Sequence, residues 1–363
     1  MEPRVSPVPP PLGRRQLLTL SGLALGAGIW QICRLAPLRA ATGLAAPSRA
    51  ATGLAAPPRG GTRLVLISDL NGSYGSTTYI AEVHRGVALI PPLRPDLVIC
   101  AGDMVAGQKA GLGRQRLAAM WAGFDRSVLG PLRNAGLPFA PAMGNHDASG
   151  ASAAGRFLFD DDRAEAARFW LHRRDTLGLN FIDSGGFPFH YAIRQQDIFV
   201  LVWDASTATV PAGQLRWAER VLADPVARSA SRRLVVGHLP LRAVSQGRDR
   251  PGEVLARPGD LQQLLERHRV EAYVSGHQHA FFPARLGQLD LFHLGAMGSG
   301  PRRLLGGTTQ PTQSLTVLDL VGSPPRLVDT SFDLKTLQRI DPNRLPRSLR
   351  DAAGQVLPRR PEA

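Results

Sequence analysis

The hydrophobic pattern of the chain changes at Arg63. Downstream, short apolar runs recur, each followed at once by a polar cluster. Leu64-Val65-Leu66-Ile67 leads into Ser68-Asp69-Leu70-Asn71-Gly72, Leu97-Val98-Ile99-Cys100 into Ala101-Gly102-Asp103, and Phe139-Ala140-Pro141-Ala142-Met143 into Gly144-Asn145-His146-Asp147. Two more follow: Leu234-Val235-Val236 runs into Gly237-His238-Leu239-Pro240, and Ala272-Tyr273-Val274-Ser275 into Gly276-His277-Gln278-His279. Near-continuous apolar runs fit strands buried on both faces, because a half-exposed strand would alternate. Helical stretches fall between them, over Gln214 to Ala223 and Pro258 to Arg269. Alternating strands and helices predict a layered α/β fold, with ligands gathered beyond the carboxyl ends of the strands. Each run delivers its Asp, Asn or His there. The glycine in every cluster permits a sharp turn and close backbone approach.

Upstream of Arg63 nothing can build a core. Arg14-Arg15 stands directly before a sixteen-residue apolar stretch, Leu17 to Ile32, that carries Thr19, Ser21 and three glycines. That is short of the roughly 20 apolar residues a bilayer-spanning helix needs. Residues 1–40 read as a twin-arginine-type signal peptide, which names the twin-arginine export machinery as a partner and a periplasmic or extracytoplasmic location. Cleavage is weakly marked, at Gly43-Leu44-Ala45 or Ser48-Arg49-Ala50, so an uncleaved membrane anchor stays open. Residues 41–50 (ATGLAAPSRA) are nearly repeated at 51–60 (ATGLAAPPRG), and 41–61 reads as an Ala/Pro/Gly linker.

Composition narrows the function classes. A length of 363 residues can bury one large core or two modest ones, and 44% hydrophobic with 20% charged residues is ordinary for a globular chain. The net charge of +14 raises a nucleic-acid reading. The basic residues are nearly all arginine, however, and are scattered without a basic run or interleaved aromatics, so no nucleic-acid partner is expected. With only Cys33 and Cys100 there is no disulfide framework.

Any one cluster is weak, since a lone Gly-Asp is usually a turn and a lone histidine usually a solvated side chain. Five in this order at strand ends point jointly to metal. Two hard divalent ions about 3.5–4 Å apart need oxygen donors, a bridging carboxylate and imidazoles. Asp, Asn and His supply these, with no thiolate to suggest structural zinc.

Asp-x-Asn at 69–71, Gly-Asp at 102–103, Gly-Asn-His-Asp at 144–147, Gly-His at 237–238 and Gly-His-Gln-His at 276–279 together resemble the signature of the calcineurin-like metallophosphoesterases. The resemblance spans roughly residues 62 to 300, and its last three motifs are specific. Gln214-Leu215-Arg216-Trp217, after Val202-Trp203-Asp204, also resembles the helix that precedes the family's Gly-His strand.

The resemblance implies a four-layer α/β sandwich of two mixed β-sheets flanked by helices over residues 62–335. Repeated Pro and Arg with little periodicity mark 336–363 as a tail that either wraps the surface or stays mobile. It implies two divalent ions, Mn2+ or Fe2+ favoured and Zn2+ compatible. Asp69 and His279 would hold one ion, Asp103 would bridge, and Asn145, His238 and His277 would hold the other. His146, beside Asp147, would contact the scissile phosphate and protonate the leaving group. A hydroxide bridging the ions would attack a phosphomonoester or phosphodiester small molecule. The alternative is a degenerate, non-catalytic metal- or ligand-binding member of the same fold.

The pattern departs at Asn71, where the family usually has histidine. Asn71 either ligates as a neutral oxygen donor, shifting preference toward Mn2+, or leaves the first ion loosely held, or marks a degenerate site. Ala106 stands where a purple iron enzyme needs tyrosine, so a tyrosinate-coloured centre is not expected. Tyr74 either lines the site or packs within its loop. Asp183-Ser184-Gly185-Gly186 reads as a turn rather than a nucleophile loop. The glycine-rich segment Gly295 to Gly307 borders the site, with Arg302 and Arg303 as substrate contacts or solvated charges. His84, His172, His190, His268 and His293 match no motif.

Overall fold

The computed structural model describes residues 56–298 and 300–361 of the chain. The signal peptide or anchor over 1–40 and most of the 41–61 linker lie outside the described residues. No helix among the described residues is long and apolar enough to cross a membrane.

Two mixed sheets carry the fold. The five-stranded sheet runs in the order Arg326–Asp333, Ser314–Val321, Thr62–Ile67, Leu97–Cys100, Phe139–Pro141, and its last three strands are parallel. The seven-stranded sheet runs Phe282–Leu286, Leu289–His293, Ala272–Ser275, Arg232–Val236, Ile198–Val202, His190–Gln195, Phe181–Gly186. Its central four strands, from Leu289–His293 to Ile198–Val202, are parallel, and the outer pairings are antiparallel.

Strand periodicity divides the core between layers. Ile198, Val200 and Val202 join the larger core with residues of the five-stranded sheet and of the helices Ala81–Leu93 and Arg114–Phe124. Phe199 and Leu201, pointing the other way, join a second core with Trp217 and Leu222 of the helix Ala212–Ala223 and Leu261, Leu264 and Leu265 of the helix Pro258–Arg267. Helices therefore flank both sheets, giving four layers. Every side chain of the runs Leu64–Ile67, Leu97–Cys100 and Ala272–Ser275 is buried, which is why these runs carry no polar alternation.

This topology positions the site. The three parallel strands Thr62–Ile67, Leu97–Cys100 and Phe139–Pro141 end level, with Ile67 opposite Cys100 and Cys100 opposite Pro141. In the facing sheet, Val236 pairs with Val274, so the two histidine-bearing strands also end together. All five polar clusters meet at one end of the sandwich.

One segment differs from the sequence reading, and the tail takes one of the two forms open to it. Asp183-Ser184-Gly185-Gly186 is not a turn but the irregular end of the edge strand Phe181–Gly186, and the Asp183 carboxylate accepts the Trp217 indole N–H at 3.0 Å. Beyond Lys335 the chain packs back onto the domain. Leu349 and Leu357 are buried on paired short strands, and Arg360 is buried between Asp290 at 2.7 Å and Asp329 at 2.8 Å. Its anchors are single residues spaced too irregularly to give a periodic signal.

Candidate metal centre

Four of the expected ligands sit in left-handed backbone: Asp69 (φ 53°), Asp103 (φ 56°), His277 (φ 66°) and His279 (φ 52°). For non-glycine residues this conformation costs energy and persists only where the surroundings impose it. Here the loops impose it on one another. The Asp69 N–H donates to the Gly102 carbonyl at 3.0 Å, the Leu70 N–H to the Asp103 carbonyl at 2.8 Å, and the Gly276 N–H to the His238 carbonyl at 3.0 Å. The neighbouring glycines make the room. A Cβ on Gly144 would fall on the Asp103 carboxylate, and one on Gly276 would fall on Ser68 and press on Asp69. At these two positions glycine is required by close approach rather than by a positive φ.

Donor atoms of Asp69, Asp103 and His238 lie within 4.8 Å of one another, and all three side chains are buried. His238 Nε2 is 3.3 Å from Asp103 Oδ2 and 4.0 Å from Asp69 Oδ1. On the Asp69 side, His279 Nε2 lies 3.2 Å from Asp69 Oδ1. On the other side, Asn145 Oδ1 is 3.0 Å from both His238 Nε2 and His277 Nδ1. Asp103 thus stands between an Asp69/His279 set and an Asn145/His238/His277 set. Buried carboxylates, an amide oxygen and imidazoles converging on one point are the donor set hard and borderline divalent ions take, so the residues fit such ions.

The outward face of each histidine fixes which nitrogen points in. His238 Nδ1 lies 2.8 Å from the Ala101 carbonyl, His279 Nδ1 2.9 Å from the Gly300 carbonyl, and His146 Nδ1 3.2 Å from the Gly107 carbonyl. A carbonyl only accepts, so each Nδ1 carries a proton and each Nε2 is the nitrogen turned to the centre. His277 is reversed. Its Nε2 lies 2.8 Å from Glu253 Oε2, leaving Nδ1 free toward Asn145. Outer partners of this kind orient metal-binding imidazoles. Arg248 Nη1 is 3.0 Å from His277 Nδ1 and 2.9 Å from Nε2, and this near-equal reach puts it over the ring rather than along either lone pair.

Asn145 is oriented in the same manner. Its Nδ2 donates to Gln108 Oε1 at 2.6 Å, which turns Oδ1 inward, and the Gln108 N–H donates to Asp162 at 2.8 Å. Neither Glu253 nor Gln108 belongs to a sequence motif. The available signal was position: Glu253 lies in the long irregular segment between the Gly-His and Gly-His-Gln-His strands, and such segments are usually functional.

Electrostatics follow from burial and pairing. Burial pushes the Asp103 carboxyl up, but the charges of His238 and His146 outweigh it and hold Asp103 well below the usual carboxylate range. Asp69 is lowered in the same way against its own burial, chiefly by His279. Burial pulls His238 down, yet Asp103 raises it to about 9. His277 is brought down by burial to about 4.

The Asp147 side chain is buried and bonded to backbone. Its Oδ1 accepts the N–H groups of Met104 at 2.7 Å and Val105 at 2.9 Å, and its Oδ2 accepts the Gly144 N–H at 2.9 Å. It ties the Asp103 loop to the Gly144 loop, a correction to the role expected from its motif. His146 itself reaches the cleft, with Nε2 3.9 Å from Asp103 Oδ2 and its backbone N–H donating to Asp103 Oδ1 at 2.8 Å. Asn71 is buried, its backbone N–H donates to the Asp103 carbonyl at 3.1 Å, and it lines a small cleft with His279. Tyr74 is 55% exposed, so it is not a packed loop tyrosine; its ring centre lies 5.2 Å from that of His146.

The layered sheets and this cluster match the α/β-sandwich class of metal-dependent phosphoesterases. The chain belongs to the calcineurin-like phosphoesterase family, whose model matches residues 62–281, more than half its length. Among solved structures it is similar to a purple acid phosphatase from yellow lupin (Lupinus luteus) seeds, at 14% identity and a TM-score of 0.54, covering 77% of this chain and 52% of the lupin chain. It is also similar to a dimetal phosphatase from Danio rerio, at 14% identity and a TM-score of 0.51, covering 76% of this chain and 97% of that one. The chain thus spans about half the length of the lupin enzyme. At this identity the likeness is one of fold. No curated protein sequence matches the chain significantly.

Proposed function

We propose that the chain hydrolyses a phosphomonoester or phosphodiester small molecule at a centre of two divalent ions. One observation carries the reading: four histidines each have one ring nitrogen tied to an outer acceptor and the other turned to the centre around Asp69, Asp103 and Asn145. Asp103 between the two donor sets supports a shared carboxylate, with Asp69 and His279 on one ion and Asn145, His238 and His277 on the other. Asn71 adds a neutral oxygen on the first side, which favours Mn2+ or Fe2+ over Zn2+. Bound ions would supply Lewis acidity and a nucleophile at neutral pH.

The chain's own residues do the rest. His146, partly exposed and held through Nδ1 by the Gly107 carbonyl, presents Nε2 to the cleft as the donor of a proton to the leaving oxygen. A cleft of 810 Å³ lined by Tyr74, His146, Ser149, Phe157 and Thr207 has room for the leaving group. The twin arginine before an apolar stretch supports an extracytoplasmic place of action, reached by twin-arginine export with or without retention as an anchor.

The test is turnover of a chromogenic phosphomonoester and phosphodiester by the full chain, chelated and then refilled with Mn2+, Fe2+ or Zn2+. Metal-restored turnover that disappears in Asp103→Ala supports the reading, and the faster ester names the class. A folded protein that takes up two ions and hydrolyses neither ester sinks it.

A further inference from the structure

Two clefts meet at His146. The larger holds Phe157, Ser149 and Thr207; the smaller, of 190 Å³, is lined by Asn71, Ser73, Tyr74, His146, His279 and Arg302, among others. Tyr74 and His146 border both, so a phosphoryl group at His146 has a way out on either side.

The smaller cleft has a cation without a counter-charge. Arg302 is half-buried, its backbone N–H is fixed to the His279 carbonyl at 2.9 Å, and its Nε is buried with no acceptor. No ion pair reaches its guanidinium among the described residues. The nearby cations make the imbalance worse. Arg248 spends its charge on Glu253 at 3.2 Å, and Glu253 is shared with Arg250 at 2.9 Å. Arg303, the next residue, is exposed and turned toward Gln310, so only Arg302 of this pair faces the centre. A half-buried guanidinium short of negative charge, walled by hydrogen-bonding side chains, is the chemistry of an anion subsite.

We propose that Arg302 binds a second anionic group, a carboxylate or phosphate, on the same substrate whose phosphoryl group sits at the metal centre. This rests on the phosphoesterase reading and narrows it to doubly anionic substrates. The arm carrying the second charge occupies the Asn71–Arg302 cleft, and the opposite substituent leaves through the larger one.

Binding of non-hydrolysable phosphonates tests the subsite apart from turnover. The Mn2+-loaded full chain and Arg302→Gln are titrated calorimetrically with ethylphosphonate, phosphonoacetate and propane-1,3-diphosphonate, and hydrolysis of ethyl phosphate is followed in the same preparations. The wild-type protein should prefer a dianionic-arm ligand over ethylphosphonate by about tenfold or more, as a charge-assisted bond supplies. Whichever of phosphonoacetate and diphosphonate binds tighter names the group. Arg302→Gln should bring that preference near unity. A preference kept in Arg302→Gln belongs to chelation by the metals and overturns the proposal. Equal weakening of all three ligands overturns it too, because Arg302 would then serve the reacting phosphoryl group or the fold. Failure to hydrolyse ethyl phosphate, with the binding pattern intact, would count against the phosphomonoesterase reading alone.

Discussion

Asp103 Oδ2 lies 3.3 Å from His238 Nε2, and both side chains are closed off from solvent. Without metal, the carboxylate holds a proton on the imidazole up to a pH of about 9, against the opposing effect of burial. The metal-binding form of His238 is neutral, so ion uptake at pH 7 must expel that proton. His277, brought down to about 4 by burial, is already neutral there and has none to give. Affinity should therefore rise about tenfold per pH unit toward 9 and then level off. The sign for stability is the reverse. The raised pKa stabilises the metal-free fold fully below the unfolded value near 6.5, and that contribution is lost as pH rises toward 9. Titration with Mn2+ in buffers of different ionisation enthalpy checks this. Uptake at pH 7 with no proton release would overturn the assignment.

Glu253 sets the tautomer of His277. Glu253→Ala should lower metal affinity about 10–100-fold, the usual cost of losing an imidazole's outer partner. Glu253→Gln should keep most of it, because an amide oxygen still accepts the Nε2–H. Competition against a chromogenic chelator measures both. Equal loss in the two variants would mean that the negative charge near Arg248, rather than the accepted hydrogen bond, is what matters.

Much of this centre is legible in sequence for a physical reason. Residues at the ends of fully buried parallel strands are placed by the sheet itself, so the runs ending at Ile67, Cys100 and Ser275 announced where Asp69, Asp103 and His277 would meet. Residues that act by orienting others carry no such mark. Gln108 and Glu253 reach the centre from irregular segments, and only coordinates reveal that their oxygens face Asn145 and His277. Asp147 shows the opposite error. Its adjacency to His146 in the motif suggested shared chemistry, but successive residues on one turn of helix point in different directions, and its carboxylate faces backbone N–H groups.

Gln108 can be tested through the amide it holds. Gln108→Leu frees Asn145 to rotate and present Nδ2, a donor, to the metal side. Occupancy of the Asn145/His238/His277 set should weaken severalfold to tenfold, with the other set little affected. Gln108→Glu keeps an acceptor and should largely rescue binding. Two resolved steps in a metal titration, only one of them shifted in Gln108→Leu, is the expected pattern. Both steps moving together would make Gln108 a general fold residue.

The loop after His146 is held from a distance by a buried ion pair. Arg163 donates to Asp204 Oδ2 at 2.9 Å and to the Ala148 carbonyl at 2.7 Å, while Ser206 Oγ links Asp204 at 2.6 Å to the Gly150 N–H at 2.9 Å. The rings of Phe157 and Phe189 lie 4.3 Å and 4.0 Å from the guanidinium carbon and shield it. Arg163→Met keeps the packing but strands the Asp204 charge, and should cost about 3–5 kcal/mol. Adding Asp204→Asn removes that charge, so the double variant should recover part of the loss. Urea unfolding midpoints measure both. Recovery of stability without recovery of turnover would show that the pair's further role is to fix the Ala148–Gly150 segment, and through it His146, at the metal cleft. A double variant no more stable than Arg163→Met alone would show that the lost bond to the Ala148 carbonyl, not the stranded charge, dominates.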